Sequence, residues 1–376
     1  MSEKKGLFST WMAVLGVAVL IGLYTTYKLF ADGHVLFNTN DVVIWSLPLG
    51  VYIYLALASS GLTILSAFPL VFGIRKYEPF AKRLVFLAIA TLCGAFVSIG
   101  LELGNVFHMI YIMLSPNFSS PIWWMGAIYS VELVVLVVKF ALMHKGDWHS
   151  GFSRLLAQAS FLLAIVAPLM IGSIFGITES RVTYFGPVMS IYCLLMAFMS
   201  GIALFLFYSL VVNKLTGNGV PADLYDDVAF MFTYATAVVV GFSLLKFAIE
   251  SATVVPEFLV YHQFEHAFGT IQGLHTEVLL GLFLPFILLL IPSVRASVGG
   301  KLVTSALILV GTLLMHMEIL LAGQSHPVGP KAEQYPEFIK YFPSIWEFLV
   351  FLFALTIMLI LYTLGERYLK LTEVPE

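Results

Sequence analysis

The chain has 376 residues, of which 60% are hydrophobic and 11% are charged, and its formal net charge is -3. So few charges cannot cover the surface of a soluble protein of this size, so the composition excludes a water-soluble globular domain. It indicates instead an all-α polytopic membrane protein that sits in a lipid bilayer and carries no basic patch for nucleic acid.

Apolar runs of bilayer length, separated by Gly, Pro, Ser and charged residues, predict about ten transmembrane helices in a single membrane domain over residues 1–376. The first run follows a basic start but is too long for a signal peptide, so we expect it to be retained. The predicted spans are 8–30, 45–73, 84–110, 122–143, 155–177, 185–213, 226–252, 271–292, 302–322 and 344–366.

The basic residues between the spans predict the orientation of the chain. Most of them fall on the side that holds the N-terminus, and the other side holds only Lys28, Arg181, Lys331 and Lys340. Because Lys and Arg concentrate in cytoplasmic loops, we expect both termini to be cytoplasmic and the protein to lie in the cytoplasmic membrane. The longest connections fall on the outer side, so the functional face is expected to be periplasmic.

Polar side chains gather in the outer halves of spans 3 and 8. Glu102 and Asn105 are three residues apart, a spacing that shares one helical face, and His108 follows them. His275 and Glu277 open span 8. A charge at the centre of a membrane helix costs about 3 kcal/mol, and such residues usually mark a route for protons, ions or a polar ligand head. These five residues therefore predict a polar chamber.

Five further residues could form a proton pathway or have a structural role. Glu132 lies deep in span 4, with Lys139 two helical turns away on the same face, and its position favours a functional role. Lys246 and Glu250 have the i,i+4 spacing of an ion pair, which favours a structural role. Glu347 opens span 10, where solvation at the membrane interface is an equal alternative.

The cysteine and histidine content argues against a metal centre in this chain. Cys93 and Cys193 each lie in an apolar run, and two thiols cannot hold an iron–sulfur cluster. His275 and His316 could approach each other as haem ligands. The other histidines lie at span ends or in loops, so haem is not expected.

Several motifs carry a resemblance to a known family. In chain order they are WSLPLGVYIYLALASSG at 45–61, LELGN at 101–105, YSVELVV around Glu132, LLKFAIES at 244–251, TEVLLGLFLP at 276–285 and YFPSIWE at 341–347. Their order and spacing resemble the NrfD/PsrC family, the membrane subunits of polysulfide reductase-like complexes. The similarity is nearest to the ten-helix membrane subunit of periplasmic nickel–iron hydrogenases, and YFPSIWE is the most specific motif.

The resemblance implies a fold of two packed four-helix bundles plus flanking helices. It implies a subunit of a respiratory oxidoreductase complex, rather than an enzyme alone, that exchanges electrons between a quinone pool, expected to be menaquinone, and a periplasmic ferredoxin-like iron–sulfur subunit. A catalytic subunit would complete the complex: a hydrogenase, a molybdopterin reductase or a multihaem cytochrome. This chain would itself carry no haem or iron–sulfur cluster.

Within that framework, the five residues of the polar chamber are predicted to bind the quinone: Glu102, Asn105, His108, His275 and Glu277. The predicted proton pathway contains Glu132, Lys139, Lys246, Glu250 and Glu347. Two other functions use the same buried charges. A proton- or ion-coupled transporter would have helices broken near mid-membrane, for which Pro168 and Pro285 are candidates. A non-catalytic anchor would hold its redox partners without touching quinone.

Overall fold

The computed structural model describes residues 2–104, 106–179, 186–216, 222–253, 278–324, 339 and 341–374. Within these ranges the chain forms helices and no β-strand. The main helices are α1 Ser2–Asp32, α2 Leu47–Leu70, α3 Glu78–Glu102, α4 Pro121–His144, α5 Gly151–Gly176, α6 Val188–Thr216, α7 Ala222–Thr253, α8 Leu284–Leu290, α9 Val298–Ala322 and α10 Ile345–Tyr368. Nine helices of the described chain are long and apolar enough to cross a membrane, which confirms the predicted polytopic all-α class.

The eighth predicted span, 271–292, lies partly outside the described residues. Its described part is α8 and the π-helical turn that leads into it, Leu279–Phe283. Gly281 in this turn packs directly on Gly311 of α9, since a Cβ on Gly281 would lie 2.2 Å from the Gly311 Cα. A π-helical turn shifts the register of a helix, and such turns occur frequently at functional sites.

The helices pack as two four-helix bundles with two flanking helices, as predicted. In the first bundle α2 contacts α3 and α5, and α4 contacts the same two helices. In the second bundle α6 contacts α7 and α9, and α8 contacts the same two. The flanking helices are α10, which packs on α3, and α1, which packs on α10.

The centre of the molecule is α2, which contacts helices of both bundles. Its contact with α6 is very close: a Cβ on Gly61 would lie 1.9 Å from the carbonyl oxygen of Ala197, and Gly201 meets Gly61 from the other side. Small residues allow this approach, and close van der Waals packing is what holds helices together in a membrane. The middle of α2 is therefore packed tightly against α6.

The third helix ends earlier than its predicted span, which ran to residue 110. α3 ends at Glu102 because Leu103 is extended, with a ψ of 128°, and Val106–Ile110 then forms a 3-10 turn. The prediction that Glu102 and Asn105 share one helical face assumed a continuous helix, and Asn105 lies outside the described residues.

Two ends of the molecule can be distinguished. At the Glu102 end, the end of α3 meets the starts of α2 and α10. At the Arg83 end, the start of α3 meets the end of α10 through an ion pair of Arg83 and Glu366. Along α3 the two ends are about 28 Å apart, at a rise of about 1.5 Å per residue. That the Glu102 end faces the periplasm remains a prediction.

Candidate functional site

The predicted site residue Glu102 binds the start of α2. Its Oε1 accepts a hydrogen bond from Ser46 N at 3.1 Å, and its Oε2 accepts one from Ser46 Oγ at 2.7 Å. Ser46 immediately precedes α2, where backbone N–H groups have no acceptor within the helix. A carboxylate is favoured here because it satisfies such a group and complements the positive end of the helix dipole.

Glu347, also predicted from the sequence, is fully buried at the start of α10. Its carboxylate accepts hydrogen bonds from Asn38 N at 3.1 Å, from Ser344 N at 2.5 Å and from the Tyr341 hydroxyl. That hydroxyl also accepts a bond from Leu47 N at 2.9 Å. Burial and the neighbouring Glu347 carboxylate raise the pKa of Tyr341, so its hydroxyl stays protonated and donates.

A buried amide fixes the segment before α2. Gln324 Oε1 accepts hydrogen bonds from Ile44 N at 3.0 Å and Trp45 N at 2.8 Å, and its Nε2 donates to the carbonyl oxygens of Trp45 and Leu320. Gln324 thereby ties the end of α9 to the chain just before Ser46.

These contacts join Glu102, Ser46, Tyr341 and Glu347 into one polar network, which we call the α2-start network. Within the described part of the chain, no Lys or Arg forms an ion pair with either carboxylate. Because all the donors are neutral, protonating a carboxylate would leave no buried cation without a counter-charge. The network is therefore suited to exchanging a proton with a bound ligand.

Glu132 lies apart from this network, fully buried in α4. Neither carboxylate oxygen completes a hydrogen bond with a described residue. The Thr63 side chain approaches the carboxyl, but its hydroxyl donates to Ser59 O at 3.1 Å. Tyr52 and Tyr129 also lie close by. A buried carboxyl to which no described residue completes a hydrogen bond costs stability, so its presence at this position favours a functional role.

Lys139 shares the buried face of α4 with Glu132, about 10 Å away along the helix axis at a rise of about 1.5 Å per residue. Its Nζ donates to Ser153 Oγ at 2.7 Å and to Trp148 O at 3.2 Å. Lys139 therefore holds the connection between α4 and α5, at the Arg83 end. The structure gives it this fastening role, and its part in a proton pathway remains a prediction.

The structure describes the other predicted site residues only in part. Asn105, His275 and Glu277 lie outside the described residues. His108 lies in the 3-10 turn after α3 and Glu250 in α7, and the description of both is limited to the backbone. Lys246 is half-buried in α7, and its pairing with Glu250 remains a prediction.

Four residues of the site were not predicted: Ser46, Tyr341, Ser344 and Gln324. The sequence carries a signal for Tyr341 and Ser344, since both lie in the motif YFPSIWE. Ser344 forms the S-x-x-E capping box of this motif with Glu347. Ser46 also precedes Pro48 as a helix-start residue does. Gln324 has no local signal for its contact with the segment before α2, because Ile44 and Trp45 are some 280 positions away in the sequence.

Two bundles of apolar helices that enclose a polar network at one end define a multi-pass integral membrane protein. The sequence matches the model of the polysulphide reductase NrfD family over residues 34–328, which is most of the chain. The chain therefore belongs to the NrfD family, which confirms the family resemblance. The nearness to hydrogenase subunits within that family remains a prediction.

Two curated relatives are similar to this chain. The Hdr-like menaquinol oxidoreductase integral membrane subunit of Archaeoglobus fulgidus is 24% identical over 337 residues, which cover 85% of this chain and 82% of the relative. A putative dimethyl sulfoxide reductase membrane subunit of Halobacterium salinarum is 24% identical over 226 residues, which cover 55% of this chain and 52% of the relative. Both are membrane subunits by name.

Proposed function

We propose that this chain is the quinone-reactive membrane subunit of a respiratory oxidoreductase complex. It would exchange electrons between the menaquinone pool and an iron–sulfur subunit outside the membrane. Membership of the NrfD family and the similarity to a menaquinol oxidoreductase subunit support this proposal. The structural observation that carries it is the α2-start network, in which two carboxylates and a tyrosine meet and no Lys or Arg of the described residues pairs with either carboxylate.

The chemistry of a quinone matches these groups. Reduction by two electrons takes up two protons, so the site needs hydrogen bonds to the quinone carbonyl oxygens and a group that exchanges protons. Glu102 would exchange protons at one carbonyl, with Ser46 holding the carboxylate in position. Asn105, His108, His275 and Glu277 would complete the site around the ring. The apolar isoprenoid tail would extend along the lipid-facing helices.

A proton route would connect this site with the other side of the membrane. Glu132 is the central member, since it is buried and its oxygens lack hydrogen-bond partners among the described residues. Lys139 would continue the route toward the Arg83 end. Lys246, Glu250 and Glu347 are its remaining proposed members.

The partners follow from the same proposal. A ferredoxin-like iron–sulfur subunit would dock at the Glu102 end, on the periplasmic face of the cytoplasmic membrane. It would pass electrons to or from a catalytic subunit: a hydrogenase, a molybdopterin reductase or a multihaem cytochrome. The bias of basic residues toward the opposite side of the membrane supports this orientation.

If the chain were a proton- or ion-coupled transporter, we would expect helices broken near mid-membrane. One candidate break does not occur, because α5 runs continuously through Pro168 from Gly151 to Gly176. At the other candidate, Pro285, α8 begins with a π-helical turn that continues into the α-helix. The described helices therefore favour the quinone function.

The test uses the complex that co-purifies with the tagged full-length chain. Binding of a quinolone N-oxide, an inhibitor that resembles menaquinone, is measured by quenching of its fluorescence, and turnover by menadione reduction with a reduced viologen dye. Glu102→Gln is expected to lower turnover by about tenfold or more, since a proton-transfer group contributes about 100-fold or more. It is also expected to weaken inhibitor binding by about tenfold, since a hydrogen bond to a charged group contributes about 1.5–3 kcal/mol. Asp32→Asn, which changes a half-exposed carboxylate at the end of the flanking helix α1, is the control and should change neither.

Two results would contradict the proposal at different levels. Unchanged inhibitor binding and turnover in both Glu102→Gln and Ser46→Ala would remove the quinone from the α2-start network. A wild-type complex that neither binds the inhibitor nor reduces menadione would leave this chain as an anchor or a transporter.

A further inference from the structure

A second set of polar side chains lies inside the protein, along α2, α6, α7, α9 and α10, and the proposed quinone chemistry does not use it. Its members are tyrosines, one serine and one histidine, from the Arg83 end toward the Glu102 end: Tyr225, Ser209, Tyr362, Tyr208, Tyr54 and His316.

The set begins beside the ion pair of the Arg83 end. Arg83 is fully buried, and it donates from Nε to Glu366 Oε1 at 2.6 Å and from Nη2 to Glu366 Oε2 at 3.0 Å. The third nitrogen, Nη1, is buried and completes no hydrogen bond with a described residue. The Tyr225 hydroxyl, next to Arg83, is in the same situation.

The next two hydroxyls continue this pattern. The Tyr362 hydroxyl lies beside Glu366, Arg83 and Ser209, yet neither it nor Ser209 Oγ completes a hydrogen bond with a described residue. Four buried polar atoms lie close together here, and none completes a hydrogen bond of good geometry with a described residue, which is rare in folded proteins. Buried water that bridges two to four polar groups is the usual way in which such atoms are satisfied.

From Tyr362 the polar groups continue toward the Glu102 end. The ring of Tyr208 lies 5.3 Å from that of Tyr362, measured between centroids. Tyr208 in turn lies within electrostatic range of Tyr54. The ring centroids of Tyr54 and His316 are 6.4 Å apart. The rings of Tyr362 and Tyr208, and those of Tyr54 and His316, therefore lie next to each other, so the polar groups of the set follow one another through the protein.

His316 forms the inner end of the series. Its ring is buried in α9, and neither nitrogen completes a hydrogen bond with a described residue, although the Thr312 backbone approaches it. A buried imidazole without partners is costly unless water or a ligand reaches it. His316 lies about 12 Å below Gln324 along the axis, at about 1.5 Å per residue, in the half of the molecule that holds the α2-start network.

The other end of the series reaches the protein surface. The Glu366 side chain is 13% exposed and lines an open cleft at the Arg83 end. The cleft is formed by Glu366, Arg367, Lys370, Leu371, Thr372 and Glu373. Solvent at this cleft therefore lies next to the Arg83–Glu366 pair and the unpartnered hydroxyls behind it.

We propose that these residues form a water-bridged proton path, the tyrosine path, from the cleft at the Arg83 end to His316. The path rests on the proposed quinone function and deepens it, because it supplies protons by a route separate from Glu132 and Lys139. Each hydroxyl or water accepts a proton on one side and releases another, so the tyrosines stay neutral and the Arg83–Glu366 pair stays ionised. For each electron that the quinone accepts, one proton moves from cleft water to the His316 imidazole, and His316 releases one proton toward the quinone carbonyl and returns to its neutral form.

The first experiment detects the water directly and needs no activity. Pulsed X-ray radiolysis of the full chain in lipid nanodiscs, read by mass spectrometry, oxidises buried side chains that touch ordered water. Tyr208, Tyr362 and His316 should be labelled about fivefold faster or more than the fully buried Phe232 and Met199, since only the first group has water next to it. Labelling of the three at the slow rate of the controls would overturn the path.

The second experiment tests proton delivery in the co-purified complex. Tyr208→Phe and Tyr362→Phe each remove one hydroxyl and keep the ring, so both should bind the quinolone N-oxide normally. Both should lower menadione turnover by about fivefold or more, since a proton-transfer group contributes about 100-fold or more. Tyr27→Phe, which changes an exposed tyrosine on α1, is the matched control.

The outcomes separate the two proposals. Wild-type turnover in both tyrosine variants would overturn the path even if it is hydrated, and would leave the quinone function in place. A wild-type complex without menadione turnover would overturn the quinone function, and the radiolysis result would still decide whether the path holds water. Use of two variants allows for one that fails to fold.

Discussion

The Glu102 end and the Arg83 end both join α3 to α10, but they do so with different chemistry. At the Glu102 end, Glu102 and Glu347 accept hydrogen bonds from backbone N–H groups and hydroxyls, all of them neutral. At the Arg83 end, Arg83 and Glu366 form a two-point ion pair.

The ion pairs at the Arg83 end extend to neighbouring helices. Lys82 pairs with Glu373 at 2.7 Å, Lys76 pairs with Asp227, and Lys301 pairs with Asp226. A carboxylate bound to a buried cation cannot take up a proton without stranding that cation, whereas one bound by neutral donors can. The ion pairs of the Arg83 end therefore hold the helices together, whereas the carboxylates of the Glu102 end are the ones whose protonation can change.

The largest expected effect lies at the Arg83 end. Arg83→Ala leaves Glu366 without its partner, and breaking a buried ion pair in this way costs about 3–5 kcal/mol of stability. The thermal unfolding midpoint of the full chain in detergent should fall sharply, and the yield of folded protein with it.

A double variant sharpens this comparison. Arg83→Leu combined with Glu366→Leu removes both charges together, so it should recover much of the stability lost in Arg83→Ala. If Arg83→Ala unfolds at the wild-type temperature, the ion pair is not what fastens α3 to α10.

The next effect lies at the Glu102 end. Glu347→Ala leaves the N–H groups of Asn38 and Ser344 and the Tyr341 hydroxyl without an acceptor, which should cost about 3 kcal/mol. Glu347→Gln keeps one acceptor oxygen and should lose about 1 kcal/mol. Equal unfolding midpoints for the two variants would show that the acceptor oxygens at this position do not matter.

A smaller effect is expected for Ser46→Ala. The variant removes one hydrogen bond to Glu102 and leaves the bond from Ser46 N in place, so about 1 kcal/mol of stability should be lost. The free energy of inhibitor binding should fall by more than the free energy of unfolding does, because the freed Glu102 oxygen is no longer held in one position. A proportional loss of both would assign Ser46 a purely structural role.

The smallest effect concerns Glu373, whose pKa is lowered by the hydrogen bond and charge of Lys82. Because the folded-state pKa is lowered, the pair of Lys82 and Glu373 stabilises the protein at pH values above the ordinary glutamate pKa of about 4.3. This stabilisation is lost as the pH falls through the lowered pKa. Glu373→Gln should therefore unfold slightly earlier than wild type above about pH 5, and the difference should disappear on acidification. A difference that grows with acidity would contradict the ion pair.

The buried face of α4 shows how far helical spacing alone can go. The sequence places Glu132 and Lys139 seven residues apart, hence on one face, and the structure buries both there with Tyr129 and Leu136. Spacing could not reveal that Lys139 binds Ser153 and Trp148, because those partners depend on how the next connection folds back.

The α2-start network shows where sequence reasoning ends. Glu102 and Glu347 could be selected as ionisable residues in apolar surroundings, since their cost in a membrane is a property of the residue and its neighbours. Their connection through Ser46, Leu47 and Tyr341 joins segments about 300 positions apart. No local pattern records such a contact.

The sequence by itself determined the membrane class, the approximate spans, the family and the unusual character of Glu132, because hydrophobic length and buried charge are set by local composition. The tertiary structure alone decided which charges are neutralised by cations and which by neutral donors. It also placed Tyr54, Tyr208 and Tyr362 in one series with His316. Those outcomes depend on which helix faces which, and that is fixed by packing between distant segments such as Gly61 and Gly201.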